Sequence, residues 1–321
     1  MTESGQGKPV SAYNATVIGR EEINPQLLVL RVRPDRDLFA FTPGQFAVLG
    51  MLGSEPRVPE AWVEAVPEPD KLIRRAYSIA SSSVERQYLE FYLTLVSSGQ
   101  LTPRLFAARV GQRLFLGPKA SGVFTLDRVA ANRDIVLIAT GTGLAPYMSM
   151  LRTALINDSA RRFVVLHGAR YSWDLGYRAE LESLSRIRRN LAYVPAITRP
   201  AEDPHFQGES GRIQTLIENG RVESLAGFKF DPASAYADCT APVEKRAPEG
   251  SIDMGTGYDC SDVKANTRSA LITPEQRKWR ATLVAAMRKQ GFVNYFKEWW
   301  HFSLPGAGGE AYDFPILPRR P

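Results

Sequence analysis

Histidine and cysteine, the residues from which most metal sites and redox pairs are made, are scarce: three and two respectively in 321 residues. Cys239 and Cys260 form no CxxC pair, so neither a zinc ribbon nor a disulfide framework is expected, and a reducing cytoplasm fits. No apolar run approaches the length of a membrane span, and residues 1–14 are polar, with one lysine and no apolar centre. The expectation is a soluble protein that is not exported. Excess charge is modest as well: Lys plus Arg number 40 against 34 acidic residues, a net +6. That balance would draw an acidic partner or a polyphosphate ligand. A mildly arginine-rich, solvated surface accounts for it equally well.

What is present is ordinary globular material, 44% hydrophobic and 23% charged, in a chain long enough for two or three domains. From Tyr13 onward, short β-rich runs are cut by Gly and Pro at 15–18, 27–32, 45–49, 75–80, 90–95 and 113–116. With no amphipathic helix among them beyond a short turn at 102–108, they predict a small antiparallel β-barrel over residues 1–130. The Pro- and Glu-rich stretch between Gly53 and Asp70 has no assignment.

One barrel strand carries chemistry. Arg75, Tyr77 and Ser78 place a guanidinium, a phenol and a hydroxyl within four residues, and strand alternation puts Arg75 and Tyr77 on one face and Ser78 on the other. A planar, phosphate-bearing ligand needs such a set: a ring to stack on, a fork for a pyrophosphate, and a small donor. A barrel strand with a chance Arg and Tyr is the competing reading. Further on, the 96–102 stretch turns on Gly99 and enters a helix through Leu101, with Thr102 expected at or near the N-cap. Amide groups at that helix start would take the same pyrophosphate.

At Asp134 the texture changes. An apolar run at 135–139, a Gly-rich turn through Gly141, Thr142, Gly143 and Pro146, and a helical pattern at 147–155 make the first unit of a parallel, dinucleotide-binding sheet. The turn by itself is a weak signal because it lacks the full GxGxxG spacing. Strands at 163–166 and 191–197 flank a helix at 174–187 and agree with it. Thr198 and Arg199 follow the third strand, at the end where such sheets bind ligands, and with Arg212 they are candidates for a phosphate on a ribose, favouring NADP over NAD. Read without that context, both arginines are surface residues in loops.

Together these motifs resemble the bacterial ferredoxin-NADP reductases over roughly residues 13–232. Residues 75–78 look like that family's FAD motif, 99–102 its pyrophosphate turn, 141–146 its NADP turn, and 211–213 its later marker. The resemblance implies a FAD-binding barrel, then an NADP-binding α/β domain over 131–232, with Tyr77 packed on the isoalloxazine and Ser78 near its N5. It also implies electron transfer to an acidic ferredoxin or flavodoxin. Nothing points to a nucleic-acid or membrane partner.

The family pattern then stops. Where a fourth strand, a Cys-Gly turn and a terminal aromatic would follow, residues 233–321 instead resemble the zinc D-alanyl-D-alanine dipeptidases. The likeness rests on 252–259, a helix at 274–290, Glu298-Trp299-Trp300-His301, and 312–316. It implies an α+β segment in which Glu298 is the general base and His301 and Asp238 bind zinc, with a second His expected seven residues before that Asp. Asp231 stands there instead. A carboxylate in place of a neutral imidazole lowers the charge of the metal centre and makes its water less acidic. The resulting expectation is a junction of two incomplete proteins near 232–238: a flavoprotein reductase whose NADP-binding domain is incomplete at its C-terminal end. A zinc dipeptidase is the rival enzyme, and a fusion that binds FAD without efficient turnover is the third reading.

Overall fold

A computed structural model describes residues 13–63, 68–130, 132–157, 161–226, 239–246, 252–257, 260 and 262–305. The chain forms two compact units divided between residues 227 and 228.

The first unit begins with six antiparallel strands: β1 (Ala15–Asn24), β2 (Leu27–Pro34), β3 (Phe46–Leu52), β4 (Leu72–Ser78), β5 (Leu89–Thr94) and β6 (Arg113–Leu116). Their order is β4-β3-β6-β1-β2-β5. The two outer strands meet through a bridge between Ile79 and Phe91, and the Ala80 amide donates to the Glu90 carbonyl at 2.7 Å. Inside lie Val17, Leu28, Leu30, Leu49, Phe91, Leu93 and Leu116, all buried, each contributing roughly 1.5–3 kcal/mol by leaving water. β1 runs past the expected 15–18 to Asn24 because its polar second half, Arg20 to Glu22, still pairs with β2. Backbone pairing extends there beyond the apolar pattern that reports burial. A short helix, α1 (Thr102–Ala107), connects β5 to β6.

Next come β7 (Ile135–Thr140), α2 (Ala145–Asn157), β8 (Phe163–Ala169), α3 (Arg178–Ile187), β9 (Leu191–Ile197) and β10 (Glu209–Ser210), then α4 (Ile213–Glu218) and α5 (Arg221–Ala226). The four strands form a parallel sheet in the order β10-β9-β8-β7. The helix expected from 174 begins only at Arg178, after a 3₁₀ turn at Ser172–Asp174. Gly176 and Tyr177 interrupt it: a Cβ on Gly176 would stand 2.2 Å from the Tyr92 hydroxyl oxygen, and Tyr177 adopts φ +61°.

A buried carboxylate joins the two sheets. Glu90 of β5 is 1% exposed; Arg31 Nε donates to it at 2.7 Å, Arg152 Nη1 at 2.7 Å and the Tyr177 hydroxyl at 2.9 Å. Arg152, on α2, also grips Glu180 of α3 with two bonds of 2.7 and 2.6 Å and donates to the Ala80 carbonyl at 2.9 Å. Burial works to raise the Glu90 pKa, but the charge of Arg152 and the hydrogen bonds from Arg152, Arg31 and Tyr177 outweigh it and hold the carboxyl below its ordinary value.

The second unit contains α6 (Val243–Arg246), α7 (Pro274–Lys289) and a pair of two-residue antiparallel strands, β11 (Val293–Asn294) and β12 (Phe302–Ser303). Thr273 and Gln276 form a reciprocal cap at the start of α7, with Pro274 in the first turn. Arg280, 1% exposed, donates to the carbonyls of Met254, Lys264 and Asn266 at 2.7 Å each, so this unit is organised around a cation held by backbone oxygens. Cys239 and Cys260 are joined in a disulfide, which corrects the expectation of two unpaired thiols. The linear spacing could not show that the chain doubles back over 21 residues to bring them together. Among the described residues no helix is long and apolar enough to cross a membrane.

Because Arg152 is enclosed on the Glu90 side, Arg152→Met leaves a buried carboxylate without its main cation and is expected to cost about 3–5 kcal/mol. The depressed Glu90 pKa stabilises the fold above the unfolded-state value, about 4.3, and that contribution is lost as pH falls through the lower folded-state value. Urea midpoints measured against pH should therefore decline on the acid side in the parent and decline less steeply in Glu90→Gln.

Candidate cofactor sites

The first candidate surface is built on β4. Ile73, Arg75 and Tyr77 share one face, and Ile73 is buried while Tyr77 packs half-buried against the sheet core. Burial raises the Tyr77 pKa, with Arg75 opposing, so the ring stays a neutral phenol. Arg75 Nη1 donates to the Arg74 carbonyl at 2.7 Å. Ser78 lies on the opposite face, across from Phe46. Past Ser78 the chain meets β5 through the Ile79–Phe91 bridge.

That turn is tied by its own backbone: the Gly99 amide donates to the Val96 carbonyl at 2.8 Å, and the Val96 amide donates to the Thr102 hydroxyl at 3.1 Å. Thr102 is not the N-cap. Leu101 occupies that position without a side-chain cap, its side chain 2% exposed in the core, and Thr102 lies inside the first turn. Thr102 closes the loop behind it instead of capping the helix ahead. Pro103 contributes no N–H, and the amides of Leu101 and Thr102 make no hydrogen bond among the described residues, so these two remain for an anion. Sequence reasoning passed over Arg104, buried in α1, whose guanidinium donates to Gln100 O at 2.6 Å and Gly53 O at 2.5 Å. An arginine in a short helix next to a Pro reads as a surface residue, and only the fold shows the carbonyls it serves.

The second candidate surface is a cleft of about 870 Å³ at the carboxyl ends of β7, β8 and β9. Of the candidates, Gly141, Thr198 and Arg212 line it, together with Thr140 and Gly211. Gly141 sits at φ +52°, and a Cβ added there would meet nothing within 4 Å, so backbone conformation, not space, calls for glycine. Thr142, Gly143 and Pro146 belong to the turn but not to the cleft wall, and Pro146 is buried in the start of α2. Arg199 is held to the side, paired with Glu202 at 3.0 Å and lying 5.8 Å over the Tyr171 ring.

Arg170, Tyr171 and Trp173 are among the lining residues that sequence reasoning missed. The two rings stack at 4.6 Å and 10°. Their signal was positional, since they directly follow β8 just as Thr198 follows β9. Across the cleft, Asn24 Nδ2 donates to Asp174 Oδ1 at 3.0 Å and to the Trp173 carbonyl at 3.1 Å. His167, fully enclosed in β8, is pushed down to about 4 by burial and is neutral; its Nδ1 lies 3.1 Å from the Tyr193 hydroxyl.

In the second unit, Glu298 Oε2 and His301 Nδ1 are 2.9 Å apart, and the imidazole tilts against the Tyr295 ring at 5.4 Å. Asp231 and Asp238 lie outside the described residues. Among the described residues, no group of three or more His, Cys, Asp or Glu stands where it could hold a metal ion.

Comparison with known proteins separates the two units in the same way. The oxidoreductase NAD-binding domain family matches residues 137–230. Ferredoxin--NADP reductase A of Sorangium cellulosum is 35% identical over 69% of this chain and 75% of its own length. The chain belongs to the ferredoxin-NADP reductase family. A flavodoxin/ferredoxin--NADP reductase of Escherichia coli is a further relative, 32% identical over 61% of this chain and 72% of its own. A crystal structure of a ferredoxin NADP+ reductase from Neisseria gonorrhoeae with bound FAD and NADP superposes with a TM-score of 0.56 at 25% identity, over 69% of this chain and 81% of that one. The antiparallel sheet followed by a parallel sheet is thus the architecture of a ferredoxin-NADP reductase, and the chain is an oxidoreductase. The D-ala-D-ala dipeptidase family matches residues 231–318, directly after the end of the NAD-binding match.

Gly141 supplies a test of its turn. Gly141→Ala is expected to cost about 1 kcal/mol through its left-handed backbone alone. Gly143→Ala, at a position equally open but without a positive φ, should be near neutral in the same unfolding assay.

Proposed function

We propose that this protein exchanges electrons between NADP(H) and an acidic carrier, a ferredoxin or flavodoxin, through FAD. In this reading residues 1–130 form a closed FAD barrel, 131–232 an NADP domain shortened at its C-terminal end, and 233–321 a dipeptidase-like segment. The observation that carries it is the juxtaposition within one unit of the Arg75–Ser78 strand and its neighbouring turn with a large cleft lined by Arg170 and Arg212.

The residues present fit both cofactors. Arg75 and the free amides of Leu101 and Thr102, with the close-packed turn at Gly99, suit a pyrophosphate; Tyr77 offers a neutral ring and Ser78 a small donor for the isoalloxazine. Gly141, with Thr142, Gly143 and Pro146 shaping its turn, leaves room for a second pyrophosphate, while Thr198 and Arg212 suit the 2′-phosphate, which Arg199 would reach only by leaving Glu202. When bound, the flavin supplies the conversion between hydride and single-electron transfer. The protein's own residues hold, orient and shield it. A net charge of +6 favours an acidic carrier, and a cytoplasmic location, where NADPH is at hand, completes the reading.

The purified protein should show flavin absorption, and Arg75→Ala should weaken FAD binding by roughly 1.5–3 kcal/mol in titrations of the stripped protein. Failure to take up FAD at all would sink the reading. Turnover of NADPH with a dye acceptor then distinguishes a working reductase from a fusion that only binds flavin. Reacting-atom alignment accounts for roughly 7–11 kcal/mol of a barrier, so an incomplete NADP domain should slow turnover more than it weakens an adenosine 2′-phosphate analogue.

A second reading, a zinc dipeptidase, is favoured by the Glu298–His301 pair and the matching family model. With Asp231 in the ligand position that the motif gives to His, the unaltered protein is expected to hydrolyse D-Ala-D-Ala little or not at all with zinc supplied. Activity appearing in Asp231→His would identify that one ligand as the defect, and efficient zinc-dependent hydrolysis by the parent would put the dipeptidase first.

A further inference from the structure

The excursion between β3 and β4, which had no assignment in the sequence, carries an inference that rests on the FAD reading above. Its stem is closed: the Gly53 amide donates to Lys71 O and the Ser54 amide to Pro69 O, both at 2.9 Å. A Cβ on Gly53 would stand 1.9 Å from the Glu68 carbonyl oxygen, so the stem admits only glycine there. The buried Arg104 ties this stem to the far side of the turn by holding Gly53 O and Gln100 O with one guanidinium.

Beyond the stem the loop is laid along the 96–103 segment. The Trp62 amide donates to Ser97 O at 2.9 Å, Arg57 Nη2 donates to Gly99 O at 3.2 Å and to Trp62 O at 2.8 Å, and the Val58 amide donates to Pro103 O at 3.2 Å. The Val58 side chain also packs against the sheet core. These contacts order the backbone of a loop whose ends are close together, the kind that is frequently functional. They leave the Trp62 side chain 69% exposed, tethered to the turn on which the pyrophosphate is placed. Solvating an indole on an ordered backbone brings no stability; offering it to a ligand does, because every purine has a face to stack on.

We infer that residues 54–63 form a strap over the adenosine diphosphate half of FAD, with the Trp62 indole as the platform for the adenine and Arg57 fixing the strap to the Gly99 turn. The strap makes the protein selective for FAD over FMN, which has no adenosine to place beneath it. No other step of the reaction depends on it.

The test is titration of FAD and of FMN into the full-length, flavin-stripped protein and its Trp62→Ala and Trp62→Phe variants, with urea unfolding of each stripped protein alongside. Trp62→Ala should weaken FAD on the order of tenfold, the size of one lost aromatic stack. FMN affinity and the unfolding midpoint should be unchanged, and Trp62→Phe should restore most of the loss. Equal FAD affinity in Trp62→Ala overturns the inference and leaves the FAD reading standing, as does a change confined to the KM for the electron carrier. Equal weakening of FAD and FMN, or a lowered unfolding midpoint, assigns Trp62 to the fold and also overturns it. Uptake of neither flavin by the parent protein removes both readings together.

Discussion

Glu90 is ionised, enclosed, and surrounded by groups from three other elements, and the placing of the two sheets depends on that arrangement. Arg152 meets it from α2, Tyr177 from the start of α3, and Arg31 from β2. An ion pair taken out of water gains little over a well-packed apolar pair, since desolvation consumes most of the Coulomb attraction. Its value is directional. Leucines would let the parallel sheet slide over the antiparallel one, whereas a carboxylate with both oxygens committed and a guanidinium with its fork committed to Glu180 accept one orientation. The strained Tyr177 backbone belongs to the same constraint: φ +61° directs the hydroxyl at Glu90 while its ring packs edge-on against Tyr92 at 5.1 Å. Because residues of both sheets line the cleft, among them Asn24 and Thr94 from one and Thr140 and the adjoining Thr198 from the other, this orientation also fixes the cleft's shape.

Strands were legible wherever burial followed a simple rhythm. The continuous apolar run of β8 marks a strand covered on both faces, whereas β7, at the sheet edge, alternates between buried and open positions. Legibility failed where backbone geometry or distant contact decided the outcome. The polar half of β1 is a strand because β2 pairs with it, and α3 starts late because Gly176 passes against Tyr92. Tertiary contact also hid Arg104 of α1 and Arg152 of α2, since an arginine surrounded by carbonyls and carboxylates looks in sequence like any other surface cation.

The sites show the same division. The faces taken by Arg75, Tyr77 and Ser78 follow from strand alternation, and the place of Gly141, Thr198 and Arg212 on the cleft wall follows from the strand ends they adjoin. Thr102, expected at or near the N-cap, is the first helical residue, one past the cap at Leu101, and its hydroxyl turns back to Val96. Arg170 and the Tyr171–Trp173 stack obey the same strand-end rule as Thr198. They went unread because β8 was taken to end at Leu166, three residues before Ala169.

The link between Cys239 and Cys260 has a consequence for the history of a single molecule. Closing a 21-residue loop removes about 3 kcal/mol of freedom from the unfolded chain, a large share of what a segment of this size can muster. Newly made chains in a thiol-rich compartment would lack it and acquire it only on meeting an oxidant, so two populations differing by two hydrogen atoms would coexist.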